Sequence, residues 1–269
     1  MCRQAFNDIE WLIVDDGSSD ETKCVVEEFQ RQSDFSIRYV YQENRGKPSA
    51  FNHGVLEARG KLFFCVDSDD YLADDALEKI SDLWRMADSP KIAGILGGKQ
   101  DTKGNRLCDR IPTRLLKSSL YDLTHVSGIG GEFSLIFRTA LLKNFLFPIV
   151  PGEKFVTECV VYDRFDLAGY TMLLSDDVMT VCEYQPGGLS DTAYALMMKN
   201  PTGYLIFYSQ RIDLAKNFKE RIGYILRYRA FWSMCRAADF RYVGRHSLLV
   251  ALLAPFGCLL KKIYQRKAR

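Results

Sequence analysis

Twice in the first seventy residues a nearly continuous apolar run ends in aspartates, and a helical pattern follows each time. The first run is "IEWLIVDD" (Ile9 to Asp16) and the second is "KLFFCVDSDD" (Lys61 to Asp70). Apolar runs of this length without polar alternation suit strands covered on both faces, as in a parallel sheet. Between them lie a helical pattern from "SSDE" (Ser18 to Glu21), which has capping-box spacing, and the β-rich "SIRYVYQ" (Ser36 to Gln42). "GKPSAFNHGVLEARG" (Gly46 to Gly60) reads as a further helix, "DDALEKISDLWRMA" (Asp74 to Ala87) as an amphipathic one and "KIAGILGG" (Lys91 to Gly98) as a fourth strand. This alternation predicts an α/β fold with a doubly wound, mostly parallel, Rossmann-like sheet. "EFSLIFR" and "DVMTVCEY" are isolated strand candidates, and helices dominate from about residue 190. The expected division is a catalytic domain over 1–190 and a helical, basic extension over 191–269.

Other classes are disfavoured by composition. The 269 residues are 47% hydrophobic and 26% charged, enough for a sizeable core, and the net charge of +2 gives no electrostatic footprint for nucleic acid. Eight cysteines without a C-x-x-C pair, several inside apolar runs, point to a reducing cytoplasm. No signal peptide opens the chain and no apolar run reaches the roughly 18 to 20 residues of a membrane span. The nearest, "SLLVALLAPFGCLL" (Ser247 to Leu260), is interrupted by Pro255 and Gly257.

In open α/β sheets ligands bind beyond the carboxyl ends of the strands. The clusters Asp15, Asp16 and Asp67, Asp69, Asp70 therefore should face one crevice. Carboxylates gathered there repel one another unless a cation relieves them, and hard divalent ions prefer oxygen ligands. A lone pair of aspartates would more often be a solvated cap, but two clusters at corresponding strand ends favour a bound Mg²⁺ or Mn²⁺.

The ordered set "DIEWLIVDDGSSDET", "QENRGKPSAFNHGVLEARGKLFFCVDSDDYL", "FRTALLKNFLFP" and "EKFVTECVVYDR" resembles the family 2 glycosyltransferases of GT-A fold that build bacterial surface polysaccharides. The resemblance covers about Asp8 to Ser190. It implies a nucleotide-diphosphate sugar donor, with a UDP-sugar expected, a divalent metal held through an aspartate-any-aspartate motif, and inversion at the anomeric carbon. Asp67 and Asp69 match that motif: Asp69 for direct metal contact, Asp67 nearer the ribose or sugar. Asp16 matches the acid that recognises the nucleotide base, with Asp15 its close rival, and Lys47 matches a position near the diphosphate, with Arg45 as companion. The family's general base comes from a glutamate-aspartate pair that this chain lacks. Glu158 is the better match, followed by Tyr162 at a familiar interval, and Glu153 and Asp163 are rivals.

The family pattern also opens with a strand and helix of about thirty residues that this sequence does not show. In the strand order of such half-sheets that strand sits between "IEWLIV" and "KLFFCV", so the two edges are expected either unpaired or forced together. "EYQPGGLSD" (Glu183 to Asp191) resembles a segment near the acceptor site, and by composition it is a turn into a helix capped by Ser190. The tail after Tyr204 mixes aromatic and basic residues. An interfacial helix and a solvated basic surface fit it equally, and the first would imply peripheral contact with the inner face of the cell membrane and a lipid-linked saccharide acceptor. The reading in another class is an inactive, membrane-associated scaffold or sugar-nucleotide binding protein of the same fold. A nucleotidyltransferase is the third alternative, and it would require a glycine-rich basic loop after the first strand.

Overall fold

The computed structural model describes Gln4, Phe6 and residues 8–183, 193–235 and 240–267, so most of "EYQPGGLSD" lies outside the described residues. The chain divides into two compact units, Met1–Leu146 with Gly169–Gln185, and Phe147–Ala168 with Pro186–Arg269.

The first unit begins with β1 (Glu10–Asp15), α1 (Thr22–Gln32) and β2 (Ser36–Tyr41). β1 and β2 pair in parallel from Glu10 opposite Ser36 to Asp15 opposite Tyr41, as the alternating pattern implies. α1 starts later than the capping box suggests: the Thr22 amide donates to Asp20 Oδ1 at 3.0 Å, while the Ser18 amide donates to Asp15 Oδ1 at 2.7 Å. Along α1 Val26 is buried, whereas Val25 and Phe29 are exposed. α2 (Lys47–Glu57) leads into β3 (Leu62–Phe64), then β4 (Asp70–Leu72), α3 (Ala76–Arg85) and β5 (Ile92–Asp101). β6 (Lys117–Ser118), α4 (Leu120–His125), β7 (Phe133–Arg138), α5 (Thr139–Leu142) and, after an excursion into the second unit, β8 (Thr171–Cys182) complete it.

The sheet differs from expectation. Instead of one mostly parallel sheet there are two: the β1–β2 pair, and a mixed six-stranded sheet ordered β3-β7-β5-β8-β4 with β6 also on β8. Only β5 and β8 run parallel in the latter; β7 is antiparallel to β3 and β5, and β4 and β6 are antiparallel to β8. The physical reason is that β3 takes its partner from residues 133–138, far along the chain, and a period-two pattern carries no information about which strand will pair. Among the described strands β1 pairs only with β2 and β3 only with β7, so the two edges are left apart and not forced together. β1 is accordingly only half-buried over most of its length, not covered on both faces. α2 lies over both edges: a Cβ added at Gly54 would meet Val14 Cγ2 at 3.3 Å and Phe63 Cζ at 3.7 Å, so glycine permits the close approach. The mixed sheet and α3 enclose a core of Leu72, Ala76, Ile80, Ile92, Ile95, Ile136, Leu173 and Met179.

The second unit comprises α6 (Cys159–Leu167), α7 (Ala193–Lys199), α8 (Pro201–Leu214), α9 (Phe218–Trp232), α10 (Ser247–Leu252) and α11 (Ala254–Lys267). Its centre is Tyr204, Leu205, Tyr208, Ile212, Ile225, Tyr228 and Phe231. Residues 147–168 belong here, across the division expected near residue 190, because their acids bind α8. Glu153 accepts the Thr202 and Gly203 amides at 2.8 and 2.9 Å, capping that helix, and Arg211 Nε donates to Asp163 at 2.6 Å. Cys24, Cys65, Cys108, Cys159, Cys182 and Cys235 are free thiols.

Candidate active site

The aspartates after β1 and β3 are joined through one loop of the first unit. Asp16 accepts the Gln42 side-chain amide at 2.7 Å and the backbone amides of Arg45 and Gly46 at 2.8 Å each. Two carboxylate oxygens thereby fix the turn that opens α2. The first residue of that helix, Lys47, then extends Nζ to Asp67 Oδ2 at 2.9 Å. Asp16 and the second cluster thus share one side of the unit, linked by consecutive contacts, as the two strand ends imply.

Asp15 has a different task. It is buried and accepts the Tyr39 hydroxyl as well as the Ser18 amide. Burial pushes its carboxyl up, but the Tyr39 and Ser18 hydrogen bonds outweigh this and hold it below the usual carboxylate range. The same bond pushes the Tyr39 phenol up to about 12.

Asp67, Ser68 and Asp69 lie exposed on a tight turn closed by the Asp70 amide donating to the Asp67 carbonyl at 3.0 Å. Asp69 stands at the tip. Among the described residues no three His, Cys, Asp or Glu side chains gather into a group able to hold a metal. A small hard cation that keeps most of its shell for water and substrate phosphates needs only one or two carboxylates. The donor set of Asp67 and Asp69 fits that requirement, and the Lys47 ammonium against Asp67 shows that the turn already draws in positive charge.

A contribution the sequence reading missed comes from beneath the turn. Asp70 opposes Cys182 across β4 and β8, and Lys99 reaches up from β5. Lys99 Nζ lies 3.4 Å from Asp70 Oδ2, and the Cys182 thiol donates to the same oxygen at 3.3 Å. Burial works against the Lys99 charge, but nearby Cys182, Asp70 and Asp67 raise its affinity for the proton overall. Burial pushes the Cys182 thiol up to about 12, with Asp70 and Glu132 adding to it against Lys99. Cys182 therefore remains a protonated donor at neutral pH. Its thiolate fraction should be roughly 10³-fold below that of an ordinary cysteine. Timed alkylation followed by peptide mass spectrometry should label the exposed Cys24 and Cys65 first, and comparable labelling of Cys182 in the folded protein would contradict this assignment.

Glu158 belongs to the second unit, immediately before α6, where its backbone carbonyl accepts the Val161 and Tyr162 amides. It is half-buried, and its charge adds to the burial that pushes the Tyr204 phenol up to about 12. The rival Glu153 has both oxygens on backbone amides of α8, and the rival Asp163 is almost wholly buried against Arg211. His53, one of three scattered histidines, meets Gln42 at 3.0 Å and shows no metal-ligand grouping.

Residues 1–145 match the glycosyl transferase family 2 model, and the chain belongs to that family. An uncharacterised glycosyltransferase of Nostoc is 29% identical over 241 residues, which is 81% of this chain and 74% of that protein. Poly-beta-1,6-N-acetyl-D-glucosamine synthase of Staphylococcus epidermidis is 30% identical over 141 residues, 49% of this chain but 33% of the synthase. Among solved structures, Staphylococcus aureus TarS residues 1–349 in complex with UDP-GlcNAc aligns with a TM-score of 0.57 at 16% identity, over 99% of this chain and 86% of that one. That likeness shows the α/β fold of the GT-A enzymes.

Proposed function

We propose that the protein transfers a sugar from a nucleotide-diphosphate sugar, with UDP as the expected nucleotide, to an acceptor saccharide hydroxyl with inversion, in the synthesis of a bacterial surface polysaccharide. The observation that carries this reading is the continuous path from Asp16 through the Arg45–Gly46 amides and Lys47 to the turn bearing Asp67 and Asp69. A nucleotide end, a diphosphate end and a sugar end follow one another along such a path. Asp16 stands at the nucleotide end with Asp15 supporting it from the buried side, held by Tyr39 and Ser18, and the Lys47 ammonium is placed to meet diphosphate oxygens. Asp67 lies nearer the ribose or sugar, and Asp69 with Asp67 would hold Mg²⁺ or Mn²⁺. When bound, that ion supplies Lewis-acid stabilisation of the charge developing on the departing diphosphate.

The remaining work falls to a base. The acceptor oxygen forms its bond to the anomeric carbon on the face opposite the breaking carbon–phosphate oxygen bond, and its proton must be taken up as that happens. Glu158 is assigned this proton, since Glu153 and Asp163 are engaged in holding α8. Calorimetric titration of the full chain with UDP in the presence of Mg²⁺ or Mn²⁺, followed by turnover of a panel of UDP-sugars, tests the reading. Binding with metal-dependent release of UDP is expected, and turnover should fall about 10²- to 10⁴-fold in Glu158→Gln without loss of UDP binding. Binding without turnover would favour the scaffold alternative, and no binding of any nucleotide-diphosphate sugar would remove both.

A further inference from the structure

α10 and α11 are apolar on two sides, and only one is used internally. Val250 is buried, and Leu249, Leu253 and Tyr264 pack against the aromatic core of the second unit. A Cβ at Gly257 would lie 2.4 Å from Arg229 Cβ, so glycine lets α11 close directly on α9. The other side carries Leu248, Leu252, Phe256, Leu259 and Ile263, which recur at three- and four-residue intervals and are 48% to 76% exposed. A surface helix ordinarily turns polar residues outward. Five large apolar side chains exposed at this spacing along α10 and α11 are instead the kind of surface that is covered in use.

The charge around these side chains identifies the cover. After Asp239 the sequence contains no acid, while Arg241, Arg245, Lys261, Lys262, Arg266, Lys267 and Arg269 all occur. Of these, Arg241, Arg245, Lys262 and Arg266 are exposed. A second copy of the chain would bring the same positive charges against this surface, and the repulsion would oppose pairing. A surface of anionic phospholipid headgroups satisfies both features, taking the apolar side chains into the acyl boundary and the bases at the phosphates. No helix among the described residues is long and apolar enough to cross a membrane. We infer that α10 and α11 lie in the plane of an anionic membrane surface, with Leu252, Phe256 and Leu259 inserted and Lys262 and Arg266 on headgroups.

This docking needs no catalysis, and its test reads partition alone. The full chain is sedimented with vesicles of phosphatidylcholine, or of phosphatidylcholine mixed with phosphatidylglycerol, at low and at physiological salt. Binding to the anionic vesicles should be at least about 10-fold tighter than to the neutral ones and should weaken with salt. Lys262→Gln with Arg266→Gln should weaken it about 25-fold. Leu252→Ser with Phe256→Ser should weaken it at least about 10-fold, with circular dichroism and melting unchanged because both positions are exposed. Equal partition to the two vesicle types, or none at low salt, would overturn the inference. So would light scattering that shows a dimer dissociated by Phe256→Ser in a protein that ignores vesicles, since this surface would then join two copies.

Discussion

Replacing Asp69 with asparagine is expected to reduce sugar transfer about 10³-fold while changing unfolding free energy by less than about 0.5 kcal/mol. The separation of the two effects follows from where the side chain stands. Asp69 projects from the tip of the exposed 67–70 turn, and the bond that closes this turn joins the Asp70 amide to the Asp67 carbonyl, neither of which the substitution touches. Asparagine preserves size and turn propensity. What it removes is one formal negative charge from a site whose proposed task is to hold a cation against a leaving diphosphate, and several kcal/mol of transition-state stabilisation depend on that charge. The loss should appear in kcat/KM, with UDP affinity in Mg²⁺ falling as well, because Asp69 would hold the ion whose charge would offset that of the diphosphate. Steady-state kinetics beside a thermal melt measure both quantities. Full activity in Asp69→Asn would remove the metal assignment, and a large fall in melting temperature would mean that the turn has a structural role instead.

Asp67→Asn provides an internal comparison. Asp67 is already neutralised by Lys47 at 2.9 Å, so its loss frees a cation as it removes an anion. The net charge of the crevice changes by the same amount in both variants, but the freed Lys47 can still meet phosphate oxygens. A smaller defect than that of Asp69→Asn is the consequence.

How much of this was legible beforehand depends on how local each determinant is. β2 and α2 follow from patterns contained within their own segments, and the sequence reading of "SIRYVYQ" and "GKPSAFNHGVLEARG" agrees with the structure. The link between the two aspartate clusters was foreseeable in kind, since strands of an open sheet end on one side. Its actual form was not, because it depends on Asp16 binding the Arg45 and Gly46 amides across thirty residues. The mixed sheet was missed because "EFSLIFR" reads as a strand without saying that it will insert, antiparallel, between β3 and β5. Lys99 and Cys182 were invisible for a related reason. Each is an unremarkable residue in its own segment, and only the register of β4 and β5 against β8 brings both to Asp70. That α8 occupies Glu153 and Asp163, the two rivals of Glu158, was likewise hidden, because those contacts join residues 48 to 50 positions apart.

Arg211→Met is expected to destabilise the protein by about 3–5 kcal/mol at pH 8, and by less at pH 5. Arg211 and Asp163 are both buried, joined by the 2.6 Å bond from Nε, and the guanidinium also lies over the Phe207 ring at 4.9 Å. Removing the arginine leaves a carboxylate from which water is excluded and whose counter-charge is gone. Burial already pushes the Asp163 carboxyl up to about 7, with Arg211 holding it down; without Arg211 it must rise further. A carboxyl bound more tightly to its proton in the folded state than in the unfolded chain contributes most to stability below its unfolded value, near 3.8. That contribution declines as the pH rises towards the folded value. Parent and variant should therefore lose stability alike between about pH 4 and 7, but the variant should go on losing it above about pH 7, where the parent levels off, which urea unfolding from about pH 5 to 9 would measure. Adding Asp163→Leu to Arg211→Met should recover most of the loss and remove the added pH dependence, because two apolar side chains of suitable volume can replace a buried ion pair. If the double variant is as unstable as the single one, the cost lies in the lost contact with Phe207 and the packing of α8, and not in an uncompensated charge.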